Sequence, residues 1–125
     1  MAVQRQALKI NTGSGTGGDT GPAFMGGIVQ MRWVPSTADT GGDLSLALIP
    51  TAGDTSGGWE FYNDNDCLGT AFTKVPMQPA HDAGGLDTGV DQYVAIVGSN
   101  ERIRAKVTPG GAAVVGTLYI WTYEG

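Results

Sequence analysis

Near its carboxyl end the chain carries two runs of strict period-2 alternation, joined by Thr108-Pro109-Gly110-Gly111. In the first, Glu101 to Thr108, the residues Ile103, Ala105 and Val107 fall on one side and Arg102, Arg104 and Lys106 on the other. Successive side chains of an extended chain point to opposite faces, so this spacing predicts a strand with an apolar face and a basic face. The second run, Val115 to Tyr123, sets Val115, Tyr119, Trp121 and Tyr123 on one face and Leu118 and Ile120 on the other. A helix would scramble both patterns. A strand apolar on both sides has more surface to bury than one core can take, which implies all-β structure with a face meant for something else.

The rest of the chain reads in the same way. The stretch from Ala2 to Ile10 carries Val3, Leu8 and Ile10 among polar residues, as an extended arm or an edge strand would, and the stretch from Asn11 to Pro22 is glycine, threonine and serine, expected as a flexible loop. Phe24 to Val34 reads as a strand ended by Pro35, with Ile28, Gln30, Arg32 and Val34 on one face and Val29, Met31 and Trp33 on the other. Leu44, Leu46 and Leu48 line one face of the run from Asp43 to Pro50, a half-buried strand. Trp59 to Tyr62, Thr70 to Val75 and Tyr93 to Val97 are shorter candidates; Gln78 to Val90, rich in proline, glycine and aspartate, is expected as a long loop. The 21 glycines cluster between these runs, as tight turns require. The expected fold is a single-domain antiparallel β-sandwich or jelly roll of about seven or eight short strands with glycine-rich loops. Residues 1–22 form its arm or edge strand plus glycine-rich loop, and residues 23–125 the sandwich domain.

Charge is sparse. The net value is −5, and between Asp19 and Asp91 ten acidic residues face only Arg32 and Lys74. Nucleic acid is not expected as a partner, because neutralising phosphates takes a dense basic surface. No apolar run approaches the ~20 residues of a membrane-spanning helix, so no membrane partner is expected either, and the chain reads as soluble and made in a cytosol. A single cysteine, Cys67, and a single histidine, His81, leave no intrachain disulfide and no zinc cluster.

Motifs that carry chemistry elsewhere are incomplete here. Gly13-Ser14-Gly15-Thr16-Gly17-Gly18 matches a dinucleotide-binding glycine pattern, with Asp39 suitably downstream, but the residues after Pro22 are strand-like where that motif needs a helix to hold a pyrophosphate. Asp-Thr-Gly occurs at Asp19, Asp39 and Asp87, and the last copy, within Leu86-Asp87-Thr88-Gly89-Val90-Asp91, resembles the catalytic loop of retroviral-type aspartic proteases, which pair two such aspartates across a homodimer. The apolar strand that should precede the motif is missing, and a turn is the simpler reading of each copy. Asp64-Asn65-Asp66-Cys67-Leu68-Gly69 begins like a calcium loop and then lacks its later ligands, Val75 standing where a bidentate glutamate belongs. His81 beside Asp82 reads as a surface histidine, and Cys67 as a small buried residue. Trp33, Trp59 and Trp121 serve either as core or interface packing or as a sugar-stacking platform. The chain is therefore expected to be no enzyme, with no catalytic residue, no cofactor and no metal.

The segment from Tyr93 to Thr108, followed by Gly110-Gly111 and Gly116-Thr117-Leu118-Tyr119-Ile120-Trp121, resembles the endings of capsid decoration, or cement, proteins of tailed bacteriophages. That resemblance implies a compact β-sandwich or jelly roll, a homotrimer, seated on the capsid surface of a virion and tying neighbouring major capsid protein subunits together. On this reading Arg5, Lys9, Arg102, Arg104 and Lys106 meet acidic capsid surface, and Val115, Tyr119, Trp121 and Tyr123 lie between subunits. Repetition over a shell lets weak contacts sum to firm attachment. The alternatives are a receptor-binding or fibre-tip β-domain that takes glycan or cell surface and, behind it, the homodimeric protease.

Overall fold

The computed structural model describes residues 2–13, 15–37, 41–51, 58–79 and 93–124. It is all-β, with ten strands: β1 (Ala2–Asn11), β2 (Gly17–Thr20), β3 (Phe24–Thr37), β4 (Asp43–Ile49), β5 (Trp59–Asp64), β6 (Phe72–Lys74), β7 (Met77–Pro79), β8 (Tyr93–Ala95), β9 (Val97–Thr108) and β10 (Val115–Glu124). Eight of them form one antiparallel sheet in the order β1-β10-β3-β9-β4-β5, with β6 also on β3 and β2 also on β9; β7 and β8 pair separately. None of the described residues is helical, so no helix among them is long and apolar enough to cross a membrane.

Two long strands bend this sheet into two layers. β3 pairs with β9 over Phe24 to Gly27 and with β10 over Ile28 to Thr37, while β9 leaves β3 to run between β4 and β2. One layer is thus β1, β10, β3 and β6, and the other β2, β9, β4 and β5. The alternation sends the apolar side of each strand into the space between them. Leu8 and Ile10 of β1, Leu118 and Ile120 of β10, Met31 and Trp33 of β3, Leu44, Leu46 and Leu48 of β4, and Ile103, Ala105 and Val107 of β9 belong to one buried cluster. The Trp33 indole N–H, fully out of water, donates to the Leu68 carbonyl at 3.1 Å, which answers the one polar atom that ring brings inside.

Of the two readings of the first segment the edge strand holds: it pairs with β10 from Ala2 to Asn11, and Leu8 and Ile10 are core residues. Three other readings of the sequence need correction. The glycine-rich stretch contains β2, because the lack of side chains lets backbone approach backbone; a Cβ at Gly18 would strike the Ala105 carbonyl oxygen. Pro35 does not end β3, which continues to Thr37; the proline sits opposite Gly116, where the register shifts and no ladder N–H is asked of it. A second shift skips Val29, since Trp121 faces Gln30 but Thr122 faces Ile28. This bulge turns Ile28 inward, away from the face it was expected to share with Gln30, Arg32 and Val34.

Smaller differences follow from pairing between distant segments. Gln78 and Pro79 belong to β7, and the run from Tyr93 to Val97 is divided at the buried Ile96 between β8 and β9. The rest of the expected loop, residues 80–90, lies outside the described residues.

Candidate docking surface

The outer face of β1, β10 and β3 is built by register. Tyr123 stands beside Val3, Trp121 between Arg5 and Gln30, Tyr119 between Ala7 and Arg32, and Thr117 between Lys9 and Val34. These residues alternate with the buried Gln6, Leu8, Leu118, Ile120, Met31 and Trp33, so all of them point away from the core. Tyr119 and Trp121 are half-buried by their neighbours and lie 6.2 Å apart, tilted by 39°. The Arg5 guanidinium carbon sits 4.9 Å from the centre of the Tyr119 ring, a cation–π contact. Val3 is 52 % exposed, Tyr123 41 % and Val34 38 %, so water reaches a continuous apolar band with cations on both flanks.

The outer face of β9 is of another kind. Arg102, Arg104 and Lys106 do share it, opposite the buried Ile103, Ala105 and Val107. Arg102 is half-buried and donates from Nη2 to the Pro50 carbonyl at 3.3 Å. Lys106 pairs across the sheet with Ser45, whose hydroxyl donates to Glu60 at 2.8 Å. Hydrogen bonds from Asn63 and Ser45 hold the Glu60 carboxyl below its ordinary value, with the Lys106 charge adding to them. Sequence alone grouped Arg5 and Lys9 with the β9 cations; the structure places them on the other layer, beside the aromatic residues of β10.

Sequence reading missed Arg32 as a member of this surface. Its alternation within β3 was visible, but its place next to Tyr119 depends on β3 pairing with β10, a contact between segments far apart in the chain.

Of the remaining motifs, those on described residues make contacts within the chain. Asp19, in the first Asp-Thr-Gly, accepts from the Lys9 N–H at 2.9 Å and from the Thr20 N–H at 2.9 Å, which ties β2 to β1. Asp39, Asp87, His81 and Asp82 lie outside the described residues. In the calcium-like loop the Asp64 carboxylate takes the Lys74 ammonium at 2.8 Å and the Tyr62 hydroxyl at 3.0 Å. The Lys74 bond holds Asp64 below the usual carboxylate range, and burial, with Asp64 beside it, pushes the Tyr62 hydroxyl up to about 12. Among the described residues no group of three His, Cys, Asp or Glu side chains could hold a metal ion. Cys67 is half-buried against the core, and burial raises its thiol to about 11, so little thiolate forms near neutral pH. The three tryptophans do not form a platform. Trp33 is in the core, Trp59 is 46 % exposed on β5 against Phe61, and Trp121 is on β10.

Comparison with known proteins gives no match to this chain, whether to a protein family, to a curated protein or to a solved structure.

Proposed function

We propose that the protein is a structural component of a bacteriophage virion that binds the outside of the capsid and stabilises it by bridging major capsid protein subunits. One observation carries the reading. β10 spends its inward side chains, Leu118 and Ile120, on the core, and still presents Tyr119, Trp121 and Tyr123 outward across a layer flanked by β1 and β3. Aromatic side chains of this size on an outer sheet face contribute little to the protomer while wet, and much to a contact that dries them. Strands that run the length of the sheet make the face stiff, so docking costs little ordering entropy. The likeness of the chain from Tyr93 onward to decoration proteins points the same way.

The test has two parts. The purified chain is mixed with shells assembled from the major capsid protein of the same virus and sedimented, and its native mass is measured alone. Co-sedimentation at a fixed number of copies per shell, with a native mass of several chains, supports the proposal. A chain that stays in the supernatant at all shell concentrations ends it.

A further inference from the structure

We infer that the outer face of β1, β10 and β3 is the surface that meets an acidic protein partner, and that copies of this chain do not pack on one another face to face through it. The inference rests on the proposed function only in taking that partner to be capsid protein.

The charge distribution comes first. The chain as a whole carries −5, yet the described residues pointing outward across this face include Arg5, Lys9 and Arg32 and no carboxylate. Asp19 stands at the rim, beside Lys9, with both oxygens already accepting backbone N–H groups. On the β9 face, by contrast, Glu60 lies close enough to Lys106 to feel its charge. An acidic protein that concentrates unopposed cations on one face presents a field there opposite in sign to that of the whole molecule, and complementary charge is what such a face selects.

Geometry then narrows the partner. A guanidinium resting on a ring spends none of its N–H donors on that contact, so Arg5 is held in place by Tyr119 and can still grip a carboxylate through its fork of donors. Arg32 stands on the other side of the same tyrosine. Carboxylates set about the spacing of alternate strand residues would reach both cations while apolar groups between them cover Tyr119 and Trp121. A nucleic acid fits less well: it asks for a dense run of cations where this face sets Arg5, Lys9 and Arg32 among apolar groups, and the exposed Val3 and Val34 offer a phosphate backbone nothing. A two-fold contact between copies is disfavoured for a simpler reason. It would bring the same cations from both sides into one interface with no carboxylate to answer them. Self-association, if it occurs, then uses another part of the surface.

The experiment uses the full chain and two charge-reversed pairs, Arg5→Glu with Arg32→Glu and Arg104→Glu with Lys106→Glu. Each is tested for co-sedimentation with shells and for native mass. The first pair is expected to weaken shell binding by about tenfold or more and to leave the native mass unchanged; the second is expected to stay within about twofold of the parent. The reverse ranking, or a native mass that falls in the first pair, overturns the inference while leaving the proposed function standing. If the parent chain itself does not bind shells, that function is lost and a second readout decides the face. Amide NMR shifts are followed during titration with a short peptide alternating glutamate and valine, against one alternating lysine and valine and against a single-stranded oligonucleotide. Shifts confined to β1, β10 and β3, seen only with the acidic peptide and lost in the first pair, support the inference. Shifts centred on β9, equal shifts with the lysine peptide, stronger binding of the oligonucleotide, or no shift at millimolar peptide overturn it.

Discussion

β9 and β10 are neighbours in sequence and alike in alternation, yet they use their outward faces differently. Both bury one side: Ile103, Ala105 and Val107 from β9, Leu118 and Ile120 from β10. On β9 the outward cations find partners within the chain, Arg102 at the Pro50 carbonyl and Lys106 beside Glu60. On β10 the outward aromatic residues stand beside Val3, Arg5 and Ala7 of β1 and Gln30 and Arg32 of β3, with no carboxylate among these neighbours. A basic stripe in a sequence is thus weak evidence for a binding surface, because the fold can answer it from within. A second apolar side on a strand that has already filled the core is stronger evidence, because the folded chain by itself has no further use for it.

The comparison makes a first demand on stability. Inward residues of the two strands should matter alike, so Ile103→Ala and Ile120→Ala, fully buried in the parent chain, are each expected to cost about 2–5 kcal/mol in denaturant unfolding. A cost for one and none for the other would mean that the two layers do not share a core. Trp33→Ala belongs at the upper end of that range, since it also strands the Leu68 carbonyl, whereas Trp59→Ala, at an exposed position, should change stability by no more than about 1 kcal/mol.

A second test sharpens the placement of β10 against β3. A Cβ at Gly116 would lie 2.5 Å from the Trp33 ring and 2.7 Å from the Val34 carbonyl oxygen, and backbone cannot step aside cheaply. Gly116→Ala is expected to destabilise by about 1–3 kcal/mol, measured in the same way. Gly111→Ala, where nothing lies within 4 Å, is its control and should be close to neutral.

Titration gives smaller effects. Asp64 is held below its ordinary value by Lys74, so this pair stabilises above the carboxylate range and the contribution disappears as pH falls through the lowered folded value. Both side chains are substantially exposed, which limits the pair to about 1 kcal/mol or less; Asp64→Asn should flatten that part of the acid profile. At the alkaline end the sign reverses. The Tyr62 hydroxyl is pushed from 10.0 up to about 12, so its contribution is complete below about pH 10 and is lost between there and about 12. Alkylation of Cys67 at pH 8 should run about two orders of magnitude slower in the folded chain than in denaturant, since burial raises its thiol from 9.0 to about 11. Equal rates would show that the thiol is not shielded.

Much of the architecture was legible in the residues because β-structure writes its burial into a two-residue period. The alternation of Leu44, Leu46 and Leu48, of Ile103, Ala105 and Val107, and of Leu118 and Ile120 named strands and core faces together, and all are buried as read. What failed was local inference about segments whose fate depends on distant partners. Gly17 to Thr20 has no apolar side chain with which to signal a strand, and it is one only because β9 lies alongside. Ile28 read as sharing a face with Gln30, Arg32 and Val34 until a bulge opposite Thr122 shifted the count.

Sequence by itself, then, determined that this chain is antiparallel β-structure and that its last strand has two apolar sides, because side-chain polarity at spacing two leaves a strand little choice of which face to bury. Tertiary structure alone decided which charges stand beside those aromatic residues. Arg5 and Arg32 flank Tyr119, and Glu60 lies near Lys106, through registers between segments far apart in the chain, and no local pattern encodes a register of that kind.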